Sequence, residues 1–408
     1  MPFSVESFEL PFFAQLLILL VLARFFGEIM ERFKQPALIG EIMAGVILGP
    51  SILNFIHRTE ELKVISELGV FLLIILAGLE INFDGIIRSL KGRNLIISLS
   101  AFFVPFFAGF FLGKLFQLDL MATIFVGLCI AITALPVSIR ILMDFGKLNT
   151  PLGQKIISIA IFDDILALSI LGIILDLKDI ELSFFNISKT VVFTLIKLTG
   201  FVLLIIASYK LIERFSRKEN FIEDKLNVVL GFLKGKESLF AIFFVFVLIF
   251  ATITESIGLH FIIGAFFASM LISKELVGEK HLNTIHTTTN GMAMGFLAPI
   301  FFAGIGLEFE FSSIDNYPLL ALIILVSFAS KIIGGYIGSR IAKQNHKTAL
   351  AIGIGLNARG IMELVIANIA FKAGIISLEL FSMLVLMGVF TTICTPFLLK
   401  KAFQLVEE

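Results

Sequence analysis

Two adjacent carboxylates, Asp163 and Asp164, stand inside the apolar run SIAIFDDILALSILGIIL, residues 158–175. A run of that length approaches the roughly 20 residues that cross a bilayer. A charge at the bilayer centre costs at least ~2.5 to 3.5 kcal/mol on insertion scales, so the pair calls for a cation, protons or a basic partner. Carboxylate oxygens are hard ligands for a small cation and they also accept protons. One such site holds either but not both, and competition of that kind produces exchange. Successive helical residues differ by about 100° in direction, so Asp163 and Asp164 are expected to serve different partners, one a broken helix and the other a neighbouring base. Lys331, in LIILVSFASKIIGGYIG, lies at similar depth in a later apolar run and is the candidate base.

Two other apolar runs carry helix-breaking or polar residues in their interiors, AITALPVSI at 131–139 and GLNARGIME at 355–363. Pro136 lacks an N–H and disfavours helical geometry at Leu135, which should free carbonyls around Thr133 and Ala134. Groups freed at that depth must be satisfied by protein or by an ion, and the hydroxyls of Thr133 and Ser138 are at hand. In the second run Gly353, Gly355 and Gly360 are expected to loosen the winding. Asn357, Arg359 and Glu363 bring polar atoms to the same depth. Arg359 and Glu363 are four residues apart, on one helix face, and read as a structural or gating ion pair. Glu41, Glu80 and Glu308 read as helix-end or helix-packing groups.

The elements that must position these residues are transmembrane helices. The 408 residues are 58% hydrophobic and 16% charged, with a mean hydropathy of +1.02, far from the ~45–50% apolar and ~25% charged shares of soluble domains. Thirteen apolar segments of helix length follow one another, at 9–33, 36–56, 62–85, 93–117, 119–144, 150–176, 184–215, 237–257, 259–275, 280–308, 316–343, 347–373 and 376–403. The polar stretch 213–237 reads as a short surface helix beside the membrane. Lys and Arg concentrate in alternate connections, including Arg88, Lys91, Arg140, Arg217, Lys218, Lys280, Lys343 and Lys400. The positive-inside rule makes that side cytoplasmic, with the N-terminus outside and the C-terminus inside a cytoplasmic membrane. Lys+Arg and Asp+Glu balance at 32 each, which gives no sign of a nucleic-acid partner. Cys129 and Cys394 lack metal-type spacing and read as buried small residues. Neither an HExxH motif nor a Ser-His pair suggests an enzyme, since His57, His260, His281, His286 and His346 fall near loops or helix ends. An intramembrane aspartyl protease needs carboxylates that converge on one water from different helices, which adjacent residues do not readily supply.

The two halves echo each other. IGEIMAGVIL at 39–48 matches IGAFFASMLI at 263–272 with an offset of 224, AGLEINF matches GIGLEFEF at 228, and Thr133 plus 224 is Asn357. Six helices, a seventh linking helix and six more put the second copy into the membrane from the opposite face. The reading is an inverted repeat, 1–180 and 237–408 around a linking segment 181–236, with one discontinuous helix in each half. That arrangement points to a binding site at the bilayer midplane of a secondary transporter.

Taken together, QPALIGEIMAGVILGPSIL, LGVFLLIILAGLE, AITALPVSIRIL, IFDDILAL and NARGIMELVIA resemble the monovalent cation:proton antiporter-2 family of sodium/hydrogen exchangers across essentially the whole chain. The resemblance implies an all-α protein of thirteen transmembrane helices with two crossed discontinuous helices. It implies a homodimer in the lipid bilayer, in which a core domain moves against a dimerisation domain. It further implies that Asp164 is the alternating ion and proton site, with Asp163 beside it. Lys331 matches the lysine that pairs with the first aspartate in electrogenic members. Potassium-efflux relatives usually carry Gln-Asp at the pair and a cytoplasmic nucleotide-binding domain, which this sequence does not show after its last helix. The expected activity is exchange of Na+ for H+ by alternating access, with Li+ or K+ as other cations and no cofactor beyond the transported ions. A K+/H+ antiporter of the same fold is the alternative, and a cation channel or a Na+-coupled symporter a second.

Overall fold

The structure is a computed structural model that describes residues 10–33, 35–56, 59–80, 92–134, 138, 141–142, 145–148, 150–177, 184–216, 237–257, 259 and 261–407. In hydrocarbon a backbone must satisfy its own polar groups, and the described residues do so almost wholly as helices. These are α1 (Phe12–Arg32), α2 (Ala37–Leu48), α3 (Glu60–Glu80), α4 (Arg93–Leu115), α5 (Leu120–Ala131), α6 (Pro151–Leu177), α7 (Phe184–Ser216) and α8 (Ser238–Ser256). They continue with α9 (Phe261–Leu271), α10 (Glu279–Met292), α11 (Ala298–Glu308), α12 (Tyr317–Ile341), α13 (His346–Gly355), α14 (Ile361–Lys372) and α15 (Leu378–Glu407). Among the described residues eight helical spans are long and apolar enough to cross a membrane, α10 and α11 counting as one span through a π-helical turn at Ala293–Leu297. The chain is a multi-pass membrane protein.

Several expected segments are subdivided. The segment 36–56 is helical only to Leu48, because Gly49 turns extended ahead of Pro50, which has no N–H to continue the ladder. The segments 119–144 and 347–373 are each interrupted, as expected. The surface helix at 213–237 falls largely outside the described residues, as do Leu135, Pro136, His57 and His260. Polar side chains fix several of the starts: Asp119 accepts hydrogen bonds from the Met121 and Ala122 amides before α5, Asn316 accepts one from Leu319 before α12, and Asn345 accepts one from Thr348 before α13.

Packing sorts the helices into two groups. One contains α1, α2, α3, α8, α9, α10 and α11; the other contains α4, α5, α6, α12, α13, α14 and α15. Direct contact between them is sparse and falls chiefly at α3 with α14 and α6 with α9, while α7 touches both α6 and α9. Each half of the chain gives its first helices to one group and its last to the other.

Glycine contacts repeat across the halves. A Cβ on Gly40 would stand 2.2 Å from Phe26 O, and one on Gly264 would stand 2.3 Å from Phe250 O; both glycine and partner are displaced by 224 residues. In the other group Gly127 meets Phe106 O at 2.7 Å and Gly353 meets Ile332 O at 2.5 Å, each displaced by 226. Small residues let helix backbones approach closely where lipid supplies no hydrophobic drive between helices. Gly353 and Gly355 therefore serve packing within α13. The expectation that they unwind the helix is corrected, because α13 runs through both and the break begins at Leu356.

Candidate functional site

The two interrupted helices meet at their breaks. After α5 the chain runs extended through Ile132, Thr133 and Ala134; after α13 it leaves helical geometry between Leu356 and Gly360. The Ala134 amide donates to Ala358 O at 2.8 Å, and the Thr133 hydroxyl lies 3.1 Å from Leu356 O. Thr392 on α15 donates to Arg359 O at 2.8 Å and holds the second break from behind. These bonds give the interrupted backbone partners inside the protein, as hydrocarbon depth demands.

Asp163 and Asp164 lie on α6 beside this crossing and have no solvent exposure. Lys331 on α12, equally buried, donates to Asp163 Oδ2 at 2.7 Å. Thr133 Oγ1 lies 2.7 Å from the same oxygen. A hydroxyl carries one proton, so Thr133 shares it between Asp163 and Leu356 O. The division of partners expected for the two aspartates is thus corrected: Asp163 meets both the broken helix and the base. Asp164 accepts no hydrogen bond at either oxygen, and Asp163 Oδ1 accepts none.

The carbonyls freed at the first break lie earlier than Pro136 suggests. The helix ends at Ala131, which leaves the carbonyls of Cys129, Ile130 and Ala131 without helical partners, while Ala134 O accepts from the Ser138 amide at 3.0 Å. Arg359 donates through Nη2 to Ile130 O at 2.6 Å and through Nη1 to Cys129 O, while Lys331 donates to Ala131 O and, at 3.2 Å, to Ala101 O. Two buried cations from the second half of the chain therefore cap the negative end of a half-helix from the first. Sequence reasoning assigned Arg359 to Glu363, and the two are 3.6 Å apart, but the guanidinium spends its short hydrogen bonds on α5. The fork geometry of arginine, with several fixed donors, was the signal available in the sequence.

Other buried oxygens border the breaks. Ser138 Oγ and Asn357 Oδ1 accept no hydrogen bond, and the Asn357 amide donates to Gly353 O at 3.2 Å. Among the described residues no three His, Cys, Asp or Glu side chains converge. The other oxygens at the breaks are hydroxyl, amide and carbonyl groups, the types that suit a hard cation. Two of the three lesser carboxylates pack as expected: Glu41 on α2 lies 3.8 Å from Arg24 on α1, and Glu308 on α11 accepts a hydrogen bond from Asn368 on α14 at 2.8 Å. Glu80, at the end of α3, has a buried Oε2 that accepts no hydrogen bond.

The sequence family model for the transmembrane sodium/hydrogen exchanger matches residues 17–404. The chain belongs to the sodium/hydrogen exchanger family. Within that family it is 31% identical over 414 residues to the Na+/H+ antiporter NhaS4 of Synechocystis, covering 96% of each chain. It is 28% identical to the Na+/H+-K+ antiporter GerN of Bacillus cereus, covering 97% of each. The solved structure of the sodium proton antiporter MjNhaP1 from Methanocaldococcus jannaschii at pH 8 shares its fold, with a TM-score of 0.71 at 17% identity over 97% of this chain and 99% of that one. This exchanger-family chain is a transporter, with the two crossed discontinuous helices of that fold at its centre.

Proposed function

We propose that the protein exchanges Na+ for H+ across a cytoplasmic membrane by alternating access, with Asp164 as the group that carries cation and proton in turn. The observation behind this reading is the asymmetry of the aspartate pair. Asp163 is tied to Lys331 and Thr133, whereas both oxygens of Asp164 are buried without a hydrogen-bond donor. A buried carboxylate in that condition requires a compensating positive charge, and a proton or a cation supplies it. Since the site has no solvent exposure, loading from either side requires the helix groups to move.

Lys331 is the second proton carrier. Na+ at Asp164 draws on Asp163, the ion pair loosens, and Lys331 releases its proton because burial disfavours an unpaired ammonium. Each cycle then moves one net charge, worth ~2.3 kcal/mol per 100 mV. Arg359 and Glu363 hold the crossing together, and Thr133, Ser138 and Asn357 supply oxygens near the ion. The N-terminus lies outside and the C-terminus in the cytoplasm. The working unit is a homodimer in the bilayer, each chain built of repeats 1–180 and 237–408 joined through 181–236, and it needs nothing beyond the transported ions.

The test is purified protein in proteoliposomes with a luminal pH dye, challenged with Na+, Li+ and K+ with and without an imposed potential. Proton movement driven by Na+ and accelerated by potential supports the reading. Cation flux with no proton counter-movement refutes it. K+ is the second cation to try, because the name of the similar GerN protein includes it.

A further inference from the structure

Two polar links tie α14 to α3 and α11 across the sparse boundary between the helix groups, and both lie near the end of the molecule where α3 begins and α14 finishes. Lys372, the last residue of α14, lies 3.2 Å from Glu67 on the second turn of α3, in an ion pair whose side chains are 21% and 54% exposed. One turn back along α14, Asn368 Nδ2 donates to Glu308 Oε2, on the last turn of α11, at 2.8 Å. Beside the Glu67–Lys372 pair lies a cavity of about 320 Å³, lined by Glu67, Asn368 and Lys372 together with apolar residues of α3, α6, α9 and α14. Its walls thus come from both groups.

We infer that Glu67–Lys372, backed by Glu308–Asn368, is a latch that holds the two helix groups together at this end and must open when the site is exposed there. Residues 368 and 372 sit on the half-helix that starts just after Gly360, which is two residues from Ala358, whose carbonyl receives the Ala134 amide. A short rigid helix therefore couples the latch to the crossing. Displacement of α14 against α3 and α11 by a few ångströms breaks both links at once and opens the cavity, whereas displacement of either group alone at its far end leaves them intact. Lys372 serves as a tethered cation on Glu67, so the outer carboxylate is occupied while the latch is shut. Neither residue touches the ion; both are positioning residues that set the balance between the access states.

The experiment places a cysteine at Ile369, which lines the cavity, in full-length protein with Cys129 and Cys394 replaced by Ala. A membrane-impermeant maleimide is added to each face of the vesicles in turn. Glu67→Gln and Lys372→Gln should each raise the labelling rate about two- to fivefold, the range set by a partly exposed ion pair. The double variant should be no faster than either single one. Unchanged rates in the single variants, or effects that multiply in the double variant, overturn the latch. The inference rests on the proposed movement of the two groups, so exchange by the parent is measured in the same vesicles. Parent vesicles that do not exchange defeat the transport reading, while exchanging vesicles with unaltered labelling defeat the latch alone. The reactive face reports which way the chain is inserted.

Discussion

Lys331→Gln isolates the charge that Asp163 depends on. In the parent Nζ donates to Asp163 Oδ2, Ala101 O and Ala131 O, all without solvent. Removal of one partner from a buried ion pair costs ~3–5 kcal/mol, because a buried charge is left uncompensated. The glutamine amide keeps two donors, and a retained hydrogen bond offsets about 1 kcal/mol. The net loss of ~2–4 kcal/mol lowers the melting temperature of a chain this long by roughly 2–5 °C. Asp163→Asn in the same protein removes the stranded charge and should restore more than half of that loss. The assay is thermal melting of detergent-purified protein, followed as loss of the monodisperse peak on size exclusion. A single variant that melts with the parent, or a double variant as unstable as Lys331→Gln alone, refutes the coupling. In proteoliposomes Lys331→Gln should exchange more slowly and lose its response to membrane potential; an unchanged response places the second charge elsewhere.

Two further outcomes follow from the hydrogen bonds at the breaks. Thr133→Ala removes a donor to a charged oxygen and should raise the half-saturating Na+ concentration about tenfold with a smaller effect on maximal rate; an unchanged value means that the break acts only as a hinge. Arg359→Lys cannot span Cys129 O and Ile130 O together, and a buried carbonyl left unpaired costs about 1–3 kcal/mol, so the variant should melt below the parent. Parental melting by that variant would show that the α5 end is satisfied in another way.

The membrane class, the paired breaks and the buried cluster of Asp163, Asp164 and Lys331 were legible because each sets a polar or helix-breaking residue against an apolar background. The 224-residue offset was legible too, and the glycine contacts at Phe26 and Phe250 show why: close helix approach tolerates little besides glycine. The distribution of partners was not legible. Sequence gives the spacing of Arg359 and Glu363 but not that α5 ends at Ala131, and the end of α5 decides which carbonyls need a cation. The same holds for Asp163, whose direction on α6 depends on the angle at which α12 and the first break approach it. Glu67 and Asn368 escaped notice because each is unremarkable on its own helix and gains meaning only across the boundary between the groups.

The central claim is that Asp164 alternates between cation and proton, and Asp164→Asn tests it most directly. Asp164 accepts no hydrogen bond in the parent, so the variant should fold and melt no lower than the parent. The measurement is dye-reported proton movement in proteoliposomes after a step in Na+, with parent and variant reconstituted at equal density. The account predicts a full response from the parent and none from folded Asp164→Asn. Substantial Na+-driven proton movement by that variant would contradict it.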